Sequence, residues 1–350
     1  MAYFTILSNP KKIYTSMLKD ISNAKKEICL ETYIYDDDEI GASFKETLIE
    51  RAASGVKVML LIDAWGSSVK KEYFQELISL GAEVRFFREI RYVIRILSRN
   101  HERNHRKLLI IDQNLAYMGS ANITASCLSW RELVLRIQGE LSLKLISSFM
   151  LSWNSFNQNT FVKARTIFHK GFQIVQDVPS DEHQLTRSKY ISLIKSAKNN
   201  ISIETPYFVP SSRIRRALYE AIERGVKVRL VLPYISDVRL IDLVRNRYLS
   251  KLFRRGIEIY YYKKSRLHSK LLIIDDNFFL LGSSNIDYRS FIHQHEINLI
   301  GTSPAIIASL QNYFQKTLSG CVPFNYEEWK NRSSIGKIAE NIFSLIRKYL

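Results

Sequence analysis

At 350 residues the chain can bury a large core and is long enough for two domains. Lysine and arginine outnumber aspartate and glutamate by 51 to 34, a net charge of +17, so a negatively charged partner or substrate is expected: nucleic acid or anionic lipid. Three scattered cysteines, Cys29, Cys127 and Cys321, lack C-x-x-C spacing; this speaks against a disulfide framework or zinc site and for a reducing compartment.

Along the chain, Ser22 to Thr32 reads as a helix end leading into a strand that finishes in Glu-Thr. Arg51 to Val58 closes a helix on Gly55 and opens a strand, and Gly81-Ala82-Glu83-Val84 repeats the move. Ile90, Val93, Ile94 and Leu97 then share a helical face among Arg91, Arg95, Arg99 and Arg103. Leu145 to Val162 has apolar residues at helical spacing, broken by Ser, Asn and Gln, and is a domain helix rather than a membrane span. The start shows no basic region followed by an apolar stretch, so no signal peptide is expected.

The same moves then recur. Ser196 to Thr205, Ala221 to Val228 around Gly225, and Gly256-Ile257-Glu258-Ile259 parallel the first three segments. A second amphipathic stretch sets Val238, Ile241, Val244 and Leu249 among Arg239, Arg245, Arg247 and Lys251. Helices alternating with short apolar strands indicate an α/β architecture, here two halves with a boundary near Lys163 to Gly171. The tail stripe Ile335, Ile338, Ile342, Leu345 and Ile346 is expected to pack on its own domain.

The strongest repeat is a short word. His105-Arg106-Lys107, four apolar residues and Asp112 are echoed by His268-Ser269-Lys270, four apolar residues and Asp275. Gly119-Ser120-Ala121-Asn122 and Gly282-Ser283-Ser284-Asn285 follow at identical distances. One copy would be a weak signal; two copies with matching trailers read as two halves of one site, meeting between the halves.

Alternate strand residues share a face, so His105 and Lys107 point the same way. Leu108 to Ile111 reads as a fully buried strand, Asp112-Gln113-Asn114 as a turn, and Ala116-Tyr117-Met118 as the return. With Gln113-Asn114 at the tip, Lys107 is expected opposite Ser120 and His105 opposite Asn122. With Asp276-Asn277 at the second tip, Lys270 faces Ser283 and His268 faces Asn285. Each half would then present imidazole, ammonium, hydroxyl and amide as one patch suited to a phosphate. The plain alternative is two core hairpins whose histidines bond to backbone; two quartets in one register favour a site. Asp112 and Asp275 sit at odd offsets from the lysines and read as structural residues that anchor a turn or pair a cation.

Attack on a phosphodiester needs its oxygens neutralised. The chain offers no evident metal-binding cluster beside its motifs, so no metal or cofactor is expected. Lys107, Lys270, Ser120, Ser283, Asn122 and Asn285 can supply hydrogen bonds instead. Two histidines permit a two-step displacement: one attacks phosphorus, the other protonates the leaving alcohol and later deprotonates the acceptor. Near symmetry leaves open which is which. Each imidazole also needs an acceptor for its far nitrogen, and Glu132 and Glu296 fit, 27 and 28 residues after their histidines.

These residues resemble the phospholipase D superfamily over nearly the whole chain, and look most similar to cardiolipin synthases of the type lacking transmembrane helices. The similarity extends to Glu31 to Tyr35 with Ile40-Gly41, Trp130-Arg131-Glu132, Leu135-Arg136-Ile137, Trp153-Asn154, Glu204 to Phe208 and Asn285 to Phe291. It departs at Glu132, where Asp is usual, in a short Ser120 to Trp130 segment, and at His293-Gln294-His295. The resemblance implies two tandem phospholipase D-like α/β/α sandwich halves related by a pseudo-twofold, residues 1–165 and 171–330, followed by an amphipathic helix over 331–350. It implies phosphatidyl transfer from phosphatidylglycerol to a second phospholipid or alcohol, with His105 as nucleophile and His268 as acid and then base. Hydrolysis to phosphatidic acid is the first alternative and a nuclease the second, though both motifs in one chain make nucleic acid the less expected substrate. The oligomeric state stays open. The expected location is cytoplasmic, peripheral to the inner membrane face, with Arg91, Arg95 and Arg99 as membrane contacts.

Overall fold

The computed structural model describes residues 3–88, 102–156, 163–180 and 182–346. In the first half, β1 (Tyr3–Leu7) leads to α1 (Pro10–Ser22). Asn9 caps α1 by accepting from Lys12 N, and Pro10 occupies the first turn, where its missing N–H costs nothing. Next come β2 (Glu27–Thr32), α2 (Glu39–Ala53), β3 (Lys57–Asp63), α3 (Gln75–Ser79) and β4 (Glu83–Phe87). The short β5 (Arg103–Asn104) precedes the hairpin β6 (Leu108–Ile111) and β7 (Leu115–Gly119). The half ends with β8 (Trp130–Arg131), β9 (Val134–Gln138) and α4 (Glu140–Ser155).

The second half begins with β10 (Arg165–His169), β11 (Phe172–Asp177) and α5 (Leu185–Ser196). It continues through β12 (Asn200–Glu204), α6 (Ser212–Glu223), β13 (Lys227–Pro233), α7 (Arg239–Arg254) and β14 (Glu258–Tyr262). Then β15 (Arg266–Leu267) precedes the hairpin β16 (Leu271–Ile274) and β17 (Phe278–Gly282). The chain continues with α8 (Tyr288–Ile292), β18 (Gln294–Gly301), α9 (Pro304–Leu318), β19 (Cys321–Pro323), α10 (Tyr326–Lys330) and α11 (Ser334–Phe343).

The two sheets share one topology. The first runs β1-β9-β7-β6-β2-β3-β4; the second runs β11-β18-β17-β16-β12-β13-β14, with β10 and β19 added at its edges. The β2-β3-β4 and β12-β13-β14 parts are parallel and the hairpin sides antiparallel. One core cluster joins both sheets through α4 (Leu141, Leu145, Phe149, Trp153) and α9 (Ile306, Leu310, Phe314). The outer face of the first sheet is covered by α1 and α2, and that of the second by α5 and α6. The result is a mixed α/β molecule built from two like halves with a shared core.

Two expectations need correction. Leu108 pairs with Met118 and Ile111 with Leu115, so three residues, Asp112 to Asn114, make the turn. In the second hairpin Ile274 pairs with Phe278, again leaving three. Asp112 and Gln113 take up the left-handed region, at φ 51° and 55°, and Asp275 does so at 49°. The extra turn residue shifts every cross-strand partner by one, so Lys107 is not opposite Ser120, nor Lys270 opposite Ser283. The expected facing of His105 to Asn122, and of His268 to Asn285, fails for the same reason. The second correction is the tail. The helix packs on its own domain against α7, as expected, but Ile338, Ile342 and Leu345 of its stripe stand exposed. In α7, by contrast, Ile241, Val244 and Leu249 are buried. The segment with Arg91, Arg95 and Arg99 lies outside the described residues.

Candidate active site

Two very short parallel ladders bring the motifs together. Arg103 and Asn104 pair with Gln294 and His295, and Arg266 and Leu267 pair with Trp130 and Arg131. They are continued by His105 N donating to His295 O at 3.0 Å and His268 N donating to Arg131 O at 2.9 Å. Each histidine therefore lies beside the residue that precedes the other half's glutamate. Nδ1 of His105 sits 3.0 Å from Glu296 Oε1, and Nδ1 of His268 sits 3.0 and 3.1 Å from the two oxygens of Glu132. The sequence offsets suggested that each half completes its own pair; the fold exchanges them.

Ser120 and Ser283 stand behind these glutamates. Their hydroxyls donate to Glu132 and Glu296 and accept from Leu133 N and Ile297 N, at 2.8 and 3.0 Å. The expected phosphate-facing hydroxyls are thus corrected to supports of the carboxylates. The preceding glycines make the close approach possible. A Cβ on Gly119 would lie 2.2 Å from Leu133 O, and one on Gly282 would lie 2.3 Å from Ile297 O.

His105, Asn122, His268 and Asn285 line one cleft of about 400 Å³. Asn122 Oδ1 accepts weakly from Ile34 N at 3.3 Å, whereas the buried Asn285 Oδ1 has no partner in the described structure. Lys107 and Lys270 each donate to the carbonyl of their own motif histidine, at 2.7 and 2.6 Å, leaving further N–H groups for a ligand. Burial, with Lys270 nearby, pulls Lys107 down to about 7, and burial draws Lys270 to about 8. An arriving phosphate reverses that effect by supplying the missing negative charge.

The histidines differ electrostatically. Burial, and then the charges of Lys107, Lys270, His268 and Arg289, hold the His105 imidazole well below its ordinary value. Burial also lowers His268, but the Glu132 charge opposes it. Burial pushes Glu296 up to about 8, even with the Ser283 hydroxyl against it. On Glu132 burial acts the same way, yet His268, Lys270 and Ser120 prevail and hold it at about 2. With both Nδ1 atoms occupied, each Nε2 is left for chemistry.

The remaining motif residues lie away from the cleft. Asp112 accepts from the backbone N–H groups of Lys25, Lys26 and Glu27 at 2.7–3.0 Å, and Asp275 from those of Lys198, Asn199 and Asn200 at 2.8–3.0 Å. Sequence reasoning missed most of the wall. Tyr33 meets His105 edge-on at 5.0 Å and Trp130 meets His268 at 4.9 Å. Trp65, Tyr207, Asp237, Val238, Ile241, Asp287 and Arg289 also line the cleft. Tyr33, Trp130, Tyr207, Asp287 and Arg289 fell within runs noted for similarity, but nothing in their spacing marked them as cleft residues. Among the described residues no group of three or more His, Cys, Asp or Glu could hold a metal ion.

The chain is also similar to known proteins. The family described as cardiolipin synthase, PLD-like domain, matches residues 17–153 and 190–318. A cardiolipin synthase of Clostridium perfringens is 33% identical over 353 residues, covering 95% of this chain and 74% of the relative. The major cardiolipin synthase of Bacillus subtilis is 31% identical, covering 99% and 75%. Among solved structures, phosphatidylserine synthase of Haemophilus influenzae superposes with a TM-score of 0.80 at 13% identity, covering 99% of this chain and 95% of that one, which speaks to the fold. Two repeats of one sheet topology, two H-x-K-x4-D words whose histidines share one cleft, and similarities over nearly the whole chain lead to one assignment: the chain belongs to the cardiolipin synthase family of phospholipase D-like proteins.

Proposed function

We propose that this protein is a phosphatidyltransferase that moves a phosphatidyl group from phosphatidylglycerol to the hydroxyl of a second phospholipid, releasing glycerol. The observation that carries it is the exchange of glutamates, which orients two histidines from opposite halves into one cleft with both Nε2 atoms unclaimed among the described residues.

In the first step Nε2 of neutral His105 attacks phosphorus and forms a P–N bond. The P–O bond to glycerol breaks, and its oxygen takes the proton from His268 Nε2. In the second step His268 removes the proton of the incoming hydroxyl, whose oxygen attacks phosphorus while the P–N bond to His105 breaks. His105 is assigned as nucleophile because its imidazole is the more strongly held neutral, and His268 as proton carrier because ionised Glu132 stabilises its imidazolium. Lys107, Lys270 and the two asparagines oppose the charge of the phosphate oxygens.

Among the described residues no helix is long and apolar enough to cross a membrane. The substrate in this reading is membrane-bound, and the net charge of +17 favours contact with an anionic membrane face. Vesicles of phosphatidylglycerol labelled in the headgroup test the reading: cardiolipin with free labelled glycerol is expected. Phosphatidic acid as the sole lipid product would replace transfer with hydrolysis.

A further inference from the structure

The C-terminal helix presents an unusual surface. Ile338, Ile342 and Leu345 are 59%, 57% and 79% exposed, and their spacing places them on one side of α11 and the turn that extends it. The other side is fixed to the body. Arg332 donates from Nε and one Nη to both oxygens of buried Glu340, each at 2.6 Å. Phe343 packs against the cluster of Val209, Ile241 and Val244, and Arg247 of α7 donates to Ser344 Oγ. An anchored helix that leaves three large aliphatic side chains exposed has a face that no described residue covers.

Its place matters. Ile241 and Tyr207, which belong to the cluster that Phe343 joins, also line the catalytic cleft. On the rim of that cleft Trp65 and Val238 are 54% and 37% exposed. Beside Val238, exposed Tyr234 and Ile235 line a second cleft of about 550 Å³ that reaches Trp329 and Arg332 at the foot of α11. Apolar surface therefore runs from the cleft mouth to the helix.

The charge around it is mainly positive. Arg239, Arg247 and Lys251 are exposed on α7, against which α11 packs, and Lys337 is exposed on α11 itself. The acidic groups nearby are Glu340, held by Arg332, Asp242, paired with Arg245 at 3.0 Å, exposed Asp237, which accepts from Tyr207 Oη at 2.7 Å, and Glu327 and Glu328 on α10.

We propose that α11, with Trp65, Ile235 and Val238 at the cleft rim, is the face on which this protein docks onto an anionic lipid bilayer. The inference rests on the phosphatidyl-transfer reading in one respect: a cleft of about 400 Å³ takes a phosphate and headgroup, so the acyl chains of a bound lipid remain outside, at this rim. The aliphatic stripe enters the headgroup boundary while Arg239, Arg247, Lys251 and Lys337 meet lipid phosphates. This is the arrangement of an interfacial helix, one face apolar and its surroundings cationic.

The test is flotation of the full chain with vesicles of phosphatidylglycerol and phosphatidylcholine, compared with the triple variant Ile338→Ser, Ile342→Ser, Leu345→Ser. All three side chains are exposed, so the variant should keep the parent's melting temperature. Its vesicle binding should fall by at least about tenfold, and lipid turnover with it, while cleavage of a water-soluble phosphodiester stays within about twofold. Arg239→Glu with Lys337→Glu should weaken binding at low salt and much less at high salt.

Parent-like vesicle binding by the triple variant overturns the proposal even where cardiolipin is still made. Loss of binding in the variant, in a protein that yields no cardiolipin, leaves docking standing and removes the transfer reading. Light scattering covers the remaining occupant. A parent dimer that becomes monomeric in the variant with vesicle binding unchanged would make the stripe a contact between copies of this chain, and would overturn the proposal too.

Discussion

Two residues after the cleft asparagine, the first half has Thr124 and the second has Asp287. Both do the same structural work. Thr124 accepts from Ser126 N at 3.2 Å to start a single helical turn, and Asp287 accepts from Ser290 N at 2.7 Å to start α8. Yet one cap is neutral and the other is a buried carboxyl, which burial raises to about 6. Asp287 is among the groups that keep Glu296 high, while Glu132 answers to His268, Lys270 and Ser120. A duplicated backbone can thus hold two histidine–glutamate pairs in like geometry while a single cap residue contributes to giving their carboxyls different proton affinities. That difference is what a two-step displacement needs, since one histidine must be free of its proton when the other holds one.

The sharpest way to break this comparison is at the histidines themselves. His105→Ala and His268→Ala should each lower phosphatidyl transfer by at least about ten-thousandfold. They should differ on a p-nitrophenyl phosphodiester, whose leaving group needs no acid. His268→Ala should then show a burst of p-nitrophenol and a phosphohistidine at position 105; His105→Ala should show neither. A phosphohistidine mapped to position 268 instead would reverse the two roles. Because side chains oppose the phosphate charge in this scheme, a chelator should leave the parent rate unchanged.

The glutamates come next. Glu132 is ionised and holds His268 in the tautomer that accepts a proton at Nε2, so Glu132→Gln should cost about a thousandfold in kcat. Glu296, held high, is close to a neutral acid at neutral pH, and Glu296→Gln should cost only about tenfold. Equal losses would mean that the two pairs carry the same charge.

Stability should report the same contrast. The folded value of Glu296, about 8, lies above its unfolded value of about 4.3, so its contribution is complete below the unfolded value and is lost as pH rises through about 8. Glu132, at about 2, does the reverse: its contribution is present above about 4.3 and is lost as pH falls toward about 2. Thermal melts across pH should show Glu296→Gln flattening the alkaline decline and Glu132→Gln the acid one. Asp287→Thr, which copies the first half's cap, should lower Glu296 and move the matching limb of the pH–rate profile to lower pH.

Much of this was legible in the chain. The α/β alternation and the two hairpins follow from buried apolar tetrads and repeated glycine-ended helices, which are local signals. The hairpin register was not, because Asp112 and Gln113 both adopt the left-handed region and leave Asn114 as an extra turn residue. The pairing of His105 with Glu296 was not either. Offsets of 27 and 28 residues name the right glutamates, but only the ladders of β5 with β18 and β8 with β15 decide which histidine each one meets. The tail pattern predicted a helix packed on its own domain, but not that Ile338, Ile342 and Leu345 would stay exposed, since a stripe at helical spacing does not say which side meets the body.

The smallest effect concerns a pair in which the halves should behave alike. Asp112 and Asp275 each accept three backbone N–H groups from the segments that open β2 and β12. Neither lines the cleft. An asparagine there is isosteric but turns an N–H2 toward donors and keeps one acceptor oxygen in place of two. Asp112→Asn and Asp275→Asn should each cost about 1–3 kcal/mol, and the costs should match because the bonds do. Turnover per folded molecule should stay within about twofold, since the carboxylate acts on a hairpin end remote from Nε2. Melting temperature and active-site titration, read together, separate the outcomes. A variant that melts like the parent yet turns over poorly would place its aspartate in the chemistry, and the two halves would then share a catalytic carboxylate as well as a frame.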